Sequence, residues 1–447
     1  MHRSPYTPPS YRRWLSMVAL LLTLTPVHAQ VMSLQQCIDS AMVNERRVCM
    51  AEIDMQIADE RTGELRGALL PKLRGMVDYK YYTDLPYQLM PASIFGGPAG
   101  TYRDIQFGTP QNIAANLALQ IPLYDPASFS AVQVGKEAAA MAAIQHERTR
   151  EDVVMEVSAV YYNVQILQSR LAFLDSNVVN AAALVRTLEL LHEQALARRT
   201  DVDRIALQLD QLTTQRTQVQ GQYEQVLDGL KVLTGMPLDA SLSVDTTAPE
   251  KKEMTNTVTG TTTQRRMADQ ALRLKNAELR TMKRARLPGI SGQGMYGTTG
   301  FGPLEADDHF NFYPIGYLGL QLQVPIFQGT ILAHRIKSKK FELQRTELQR
   351  DALLDKENVE RRGVQRQLTI AEQVITNNTA QLALAERIRR STMAQHAQGL
   401  ATVPDLILAE QSEHEAQMNY LNALVNLRKA QLELQRLNGV LLKTEQP

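Results

Sequence analysis

The chain has 447 residues, aromatic residues make up 6% of it, and its net charge is +1. A nearly neutral chain offers nucleic acid no electrostatic attraction, so no nucleic-acid partner is expected. Long tracts dominated by Ala, Leu, Gln, Glu and Arg are typical of long helices rather than of two or three ordinary domains.

Residues 1–29 are predicted to be a secretory signal peptide. Arg12 and Arg13 precede an apolar run from Trp14 to Val27, and the segment ends on a small-x-small cleavage pattern at Ala29. The apolar run is too short for a membrane-spanning helix. No later stretch is apolar enough either, so any membrane crossing would have to be made by strands.

The first helix is predicted over 33–68, with Ser33 and Gln36 at the two positions of a capping box. Cys37 and Cys49 both fall within it. At the rise of an α-helix they would lie roughly 18 Å apart, far beyond the limit of about 7 Å between the Cα atoms of a disulfide. We therefore expect two free thiols that pack as small apolar residues.

The hydrophobic period then changes from helical to alternating. Two strands are predicted, over 73–82 and 112–123, joined by a Pro- and Gly-rich loop from 83 to 108. In the second strand an apolar face alternates with polar residues, over a length that suits a bilayer crossing. The polar positions are Asn112, Asn116 and Gln120.

A long helical hairpin is predicted over 127–235. Its tip lies near 195–201, and its second helix follows the 3-4 spacing of a coiled coil with Arg216 as the one interruption. Residues 236–261 are predicted to be an equatorial linker.

The pattern then repeats at an offset of about 200 residues. A second copy is predicted over 262–447, with a helix, strands at 290–299 and 315–326, and a hairpin over 329–439 whose last helix has Glu413 as its interruption. The corresponding segments are Leu70-Pro71 and Leu287-Pro288, Gln120-Ile121-Pro122 and Gln323-Val324-Pro325, Thr200-Asp201-Val202-Asp203 and Thr402-Val403-Pro404-Asp405, and Gly235 and Gly439.

Four crossing strands in one chain predict an assembly. Four strands cannot close a barrel, and an open sheet edge cannot face lipid, so at least two chains must share one barrel; three chains would supply twelve strands. The polar strand positions would face a water-filled interior. These pore-facing positions are Asn112, Asn116, Gln120, Gln321 and Gln323.

Three features together resemble the TolC-type outer-membrane efflux protein (OEP) family. They are the two-fold repeat, the signal peptide, and the tip Gly399-Leu400-Ala401-Thr402 followed by Asp405-Leu406-Ile407. The opening Leu34-Gln35-Gln36-Cys37-Ile38 also resembles the family's usual mature N-terminus. The resemblance covers essentially all of 33–440. It implies an α+β membrane protein: a homotrimer with a twelve-stranded β-barrel in the outer membrane of a Gram-negative bacterium and an α-helical barrel in the periplasm.

The resemblance also implies the function. The trimer would be the exit duct of a tripartite efflux or type I secretion system, a passive conduit in contact with outer-membrane lipid. A periplasmic adaptor and an inner-membrane pump (RND, ABC or similar) would open it. No enzyme activity and no cofactor are implied.

Residue roles follow from the same resemblance. Asp405 would form a ring at the periplasmic aperture, together with Asp201 of the first tip, although the second acid of the family pattern is Leu408 here. Ala195 replaces the glycine of the first tip, which predicts a less sharp turn. The tip residues that would contact the adaptor are Leu196, Ala197, Gly399, Leu400, Ala401 and Thr402.

A gate at this aperture is a hypothesis. Three Asp405 carboxylates on one axis would repel one another and attract cations, and Arg198 and Arg199 of the neighbouring tip could supply counter-charge. The alternative is that Asp405 merely complements the helix dipole in the first turn.

Two motifs suggest other chemistry and are rejected. Residues 292–297 match the dinucleotide-binding GxGxxG pattern, but the Gly- and Pro-rich segment after them cannot form the required helix. His309 beside Asp307 and Asp308 is predicted to lie in a surface loop rather than in a metal site.

The main alternative function is a periplasmic adaptor, which also uses coiled-coil hairpins. An adaptor would have one hairpin with separate β domains, whereas this chain predicts two hairpins. A purely structural periplasmic coiled coil would leave the alternating strands unexplained.

Overall fold

The computed structural model describes residues 30–245, 260–302 and 310–442. The predicted signal peptide, most of the predicted linker and His309 lie outside these ranges. The helices are α1 (Leu34–Asn44), α2 (Arg46–Gly67), α3 (Pro126–Glu193), α4 (Arg199–Thr234), α5 (Thr263–Arg284), α6 (Ile331–Ala397) and α7 (Val403–Leu437). The strands are β1 (Gln30–Met32), β2 (Lys72–Tyr81), β3 (Tyr87–Pro91), β4 (Tyr102–Gln106), β5 (Gln111–Tyr124), β6 (Leu242–Val244), β7 (Gly289–Gly302) and β8 (Asn311–Gln323).

The chain forms two compact units, and each takes segments from both sequence repeats. The first unit comprises the described residues of Met1–Met50, Glu147–Thr262 and Lys356–Pro447. The second comprises Ala51–His146 and Thr263–Asp355. No helix in the described part of the chain combines the length and the apolar character that crossing a membrane requires.

The first unit is helical and has an apolar core where α1 packs with α3 and α4. Val157, Val164 and Leu230 are fully buried there. The predicted capping box starts α1: the Ser33 N–H donates to Gln36 Oε1 at 2.9 Å, and the Gln36 N–H donates to Ser33 Oγ at 3.3 Å. The alternation of buried and exposed residues along α4 matches the predicted coiled-coil spacing.

The first predicted helix is two helices, because Glu45 takes an extended backbone (φ −70°, ψ 122°) between α1 and α2. The break changes the environment of the cysteines. Cys37 is fully buried, and burial raises the pKa of its thiol to about 11. Cys49 is free like Cys37 but exposed, so the expectation that it packs as a core residue was wrong.

The predicted linker contains a strand. β6 pairs in parallel with β1, matching Gln30 to Leu242 and Met32 to Val244. Met32, Leu242 and Val244 are buried, and the Tyr161 hydroxyl donates to the Met32 carbonyl at 3.2 Å. Strands of three residues carry too little alternation to be found in a sequence, and their pairing joins distant segments.

The second unit is built on an antiparallel sheet in the order β2-β5-β7-β8. Its strand ends differ from the predicted ones by up to four residues, and the predicted strand 315–326 ends at Gln323, before Pro325. Within the described residues each outer strand, β2 and β8, pairs on one side only. The sheet of one chain therefore keeps two open edges.

The segment predicted as a loop over 83–108 contains a small hairpin. β3 pairs with β4, matching Tyr87 to Gln106 and Leu89 to Asp104, and a 3₁₀ turn (Ala92–Phe95) lies between them. The prolines and glycines that suggested an irregular loop lie mostly at the ends of these strands and in the turn, where they interrupt no ladder hydrogen bond.

Candidate functional site

The tip between α3 and α4 ends its helix in a Schellman motif. The Leu196 N–H donates to the Leu191 carbonyl at 2.8 Å, and the Ala195 N–H donates to the His192 carbonyl at 2.9 Å. Ala195 has φ +60°, the left-handed region that usually requires glycine. The expectation of a less sharp turn was wrong, because Ala195 adopts the glycine conformation.

The tip between α6 and α7 has the same hydrogen bonds. The Leu400 N–H donates to the Gln395 carbonyl at 2.9 Å, the Gly399 N–H donates to the His396 carbonyl at 2.9 Å, and Gly399 has φ +73°. The two sequence repeats therefore end in equivalent turns.

Replacing Ala195 with glycine is expected to stabilise the first tip by about 1 kcal/mol, since the left-handed conformation costs alanine roughly this much. Amide exchange at Leu196 should slow roughly fivefold, because 1.4 kcal/mol corresponds to a factor of ten. Gly399→Ala is the matched opposite and should speed exchange at Leu400. Unchanged exchange in both variants would contradict the left-handed conformation of Ala195 and Gly399.

Asp405 closes a capping box at the start of α7. Its Oδ2 accepts from the Thr402 N–H at 2.8 Å and from the Thr402 hydroxyl at 2.5 Å, and the Asp405 N–H donates to Thr402 Oγ1 at 3.4 Å. These hydrogen bonds from Thr402 lower the pKa of the Asp405 carboxyl. The side chain is exposed and ionised, and it caps its own helix whatever else it does.

The charges of the first tip pair within α4. Asp201 lies 3.8 Å from Arg204, and Arg199 lies 3.0 Å from Asp203. Within one chain, Arg199 is therefore engaged by its own helix rather than by Asp405.

Each tip presents one exposed leucine over a buried apolar base. The side chains of Leu196 and Leu400 are 71% and 75% exposed. Ala197 packs against the base, whereas Gly399 and Thr402 are exposed and Ala401 is half-buried. The base, called the tip cluster below, consists of Leu184, Leu188, Val202, Ile205, Val403 and Leu406.

The five predicted pore-facing positions share one face of the sheet. Residues that pair directly across antiparallel strands lie on the same face. Gln120 pairs with Gln293, and the same face continues through Ser291, which pairs with Gln321. The side chains of Gln293 and Gln321 are hydrogen-bonded to each other. By register this polar face holds Asn112, Asn116, Gln120, Gln321 and Gln323.

The opposite face of the sheet is apolar. Leu117 lies between Gly75 of β2 and Tyr296 of β7, and Leu318 and Leu320 continue this face on β8. Most of these side chains are exposed in the single chain. The sheet therefore separates a polar from an apolar surface.

The GxGxxG match lies inside β7, so these residues form part of a strand and not a phosphate-binding loop. Gly297 is required by packing, because a Cβ there would lie 2.3 Å from the Ala115 carbonyl oxygen of β5. Over 30–245, 260–302 and 310–442, no group of His, Cys, Asp and Glu is arranged to hold a metal ion.

A buried polar group between the helices of the first unit was missed from the sequence. Glu413 forms an ion pair with Arg389, and Gln208 donates to Glu410 at 3.2 Å. The interruption of the heptad pattern at Glu413 was its only signal.

Comparison with known proteins supports the fold and finds a family match over part of the chain. Residues 37–236 match the family model described as outer membrane efflux protein. This part of the chain is therefore similar to outer membrane efflux proteins. No curated protein matches the sequence.

Solved structures of outer-membrane proteins share the fold of this chain. VceC of Vibrio cholerae is 15% identical, with 91% of this chain and 96% of VceC covered at a TM-score of 0.71. CmeC of Campylobacter jejuni is 16% identical. The match covers 91% of this chain and 85% of CmeC, at a TM-score of 0.73. MtrE of Neisseria gonorrhoeae, solved in an open state, is 15% identical. The match covers 91% of this chain and 88% of MtrE, at a TM-score of 0.72.

The family match over 37–236 and these structures confirm the predicted fold class, a helical barrel with a β-barrel. Together they support the predicted function, an exit duct of the Gram-negative outer membrane that extends into the periplasm. CmeC and MtrE are described as outer-membrane channels.

Proposed function

We propose that this chain forms a homotrimeric exit duct of a tripartite efflux or type I secretion system. A periplasmic adaptor would dock on the helical tips, and an inner-membrane pump (RND, ABC or similar) would deliver the substrate. The pump would set the choice of substrate, since the duct itself is a passive conduit.

The observation that carries this proposal is the four-stranded sheet with two open edges and two chemically different faces. Open edges cannot face lipid, so β8 of one copy must pair with β2 of the next. Three copies give twelve strands, an apolar outside and a water-filled inside. Asn112, Asn116, Gln120, Gln321 and Gln323 would then line the pore.

The tips support docking of an adaptor. Leu196 and Leu400 occupy equivalent turns, and both are exposed above the tip cluster. A large apolar side chain held on a rigid turn is the kind of anchor that protein interfaces bury. Leu196, Ala197, Gly399, Leu400, Ala401 and Thr402 are the proposed contact residues.

The aperture is proposed to be ringed by Asp405, with Asp201 contributing nearby. The capping box holds the Asp405 carboxylate ionised in a fixed place, and three such groups near one axis would bind cations. Leu408 is exposed one turn further along α7. The ring would therefore be a single layer of charge.

Conductance in planar bilayers tests this proposal. The wild-type trimer should conduct, and divalent cations added on the periplasmic side should block it. Asp405→Asn should remove most of the block, because the amide can still cap α7 but carries no charge. The matched control is Asp203→Asn, an exposed acid of the other hairpin that Arg199 already neutralises; it should leave the block intact. Equal block in wild type and Asp405→Asn would contradict the aperture, and absence of conductance would contradict the channel.

The adaptor alternative is not supported. An adaptor would have a single hairpin with separate β domains. This chain has two hairpins and the fold of outer-membrane channels.

A further inference from the structure

A polar section interrupts the apolar packing of α7 in the first unit. The tip cluster holds the start of this helix, and Leu432 belongs to the apolar core near its end. Between them Glu413 and Gln417 are buried. Glu413 is only 6% exposed and is ion-paired with Arg389 of α6, and Asn177 of α3 donates to Gln417 at 3.4 Å.

A polar cavity of about 200 Å³ lies in this section. Its walls include Asn177 and Asn180 of α3, Gln208 of α4, Arg389 of α6 and His414 of α7. Within the described residues, His414 Nδ1 and Gln208 Oε1 are buried without a hydrogen-bond partner. The cavity is large enough for several water molecules, so water and protons can reach His414.

The groups around His414 come from all four packed helices. α3 contributes the cation Arg170, α6 contributes the cation Arg389, and α7 contributes the acids Glu410 and Glu413. α4 contributes neutral amides, those of Gln208, Gln211 and Gln215. The two cations and two acids balance only while His414 is neutral, so a proton on its ring would leave one excess buried positive charge.

We propose that His414 is a proton-operated switch that loosens the packing of α7 against α3 and α6 when the periplasm becomes acidic. The switch rests on the proposed function, because α7 carries Asp405 and the second tip. Loosening α7 would ease opening of the periplasmic mouth.

The direction of the effect follows from the two titrating groups. Burial, and then Arg170, lower the pKa of His414, so the packed state loses stability as the pH falls through the ordinary value of 6.5. Burial raises the pKa of Glu410, so its protonation favours the packed state, and that contribution is lost as the pH rises through the raised pKa. The two groups oppose each other, and single variants separate them.

Amide exchange of residues 405–420 in the purified trimer, corrected for the intrinsic pH dependence, tests the switch at pH 7.5 and pH 5.5. Protonation of His414 should cost wild type at most about tenfold in protection at pH 5.5, one unit below the ordinary pKa of 6.5, and protonation of Glu410 should make the net loss smaller. His414→Gln should keep its protection. Glu410→Gln should lose more than wild type, because it lacks the opposing protonation. The control segment is 263–284 in the other unit, which should not respond.

Two results would overturn the switch: no acid loss of protection in either wild type or Glu410→Gln, or a loss in His414→Gln equal to that of wild type. Should His414→Gln fail to assemble, Arg170→Gln replaces it. Removing that cation should bring the pKa of His414 nearer its ordinary value and make the acid loss smaller. The proposed function is judged separately by conductance at pH 7.5: a conducting trimer whose α7 ignores acid overturns the switch alone.

Discussion

Replacing Leu117 with lysine is expected to prevent assembly of the channel in the outer membrane. Leu117 lies in the middle of β5 on the apolar face of the sheet and is 53% exposed in the single chain. A lysine on the lipid face at the bilayer midplane costs about 2–4 kcal/mol. The cost falls on each of the three chains that share one barrel, so it takes up much of a typical stability of about 5–15 kcal/mol.

The matched control is Gln120→Lys on the same strand. Gln120 is exposed on the polar face, so its lysine would point into the water-filled pore. Trimer yield from outer membranes and the urea midpoint for folding into bilayers both measure the difference. The proposed faces would be reversed if Gln120→Lys were lost and Leu117→Lys assembled normally.

Changing both tip leucines to aspartate is expected to abolish efflux while leaving the trimer intact. Leu196 and Leu400 contribute nothing to the buried tip cluster, so the hairpins should fold without them. Burying an unpaired carboxylate against an adaptor would cost each contact on the order of 2 kcal/mol, or roughly thirtyfold in affinity. Drug susceptibility of cells and pull-down of the adaptor measure the loss.

Leu238→Asp serves as the control for the tips. Leu238 is an equally apolar, exposed residue of the same unit but lies outside both tips. Its backbone carbonyl accepts a hydrogen bond from the Lys231 ammonium group, and the substitution leaves that carbonyl in place. It should leave efflux and adaptor binding unchanged. Full efflux by the Leu196→Asp, Leu400→Asp variant would place the adaptor contact elsewhere.

The sequence predicted the features that repeat over many residues. The alternation along β5 and β8 predicted that five polar residues face the same way, and the register of the sheet brings them to one face. Heptad spacing marked the buried side of α4 and α7. Each of these patterns is local, so it can be read without knowing what the segment contacts.

The features that were missed depend on distant or single residues. The pairing of β1 with β6 joins segments far apart in the chain through three residues each. The left-handed conformation of Ala195 was not predicted, because alanine is typical of helix interiors. The group formed by Arg389, Glu410 and His414 exists only because α6 and α7 pack together.

The number of chains that share one barrel can be measured from the mass of the complex extracted from outer membranes in mild detergent. The open edges of the sheet predict three copies of the chain in one particle. A monomer, or recovery of the protein from the soluble periplasm, would mean that β2 and β8 do not pair between copies and that the chain forms no shared barrel.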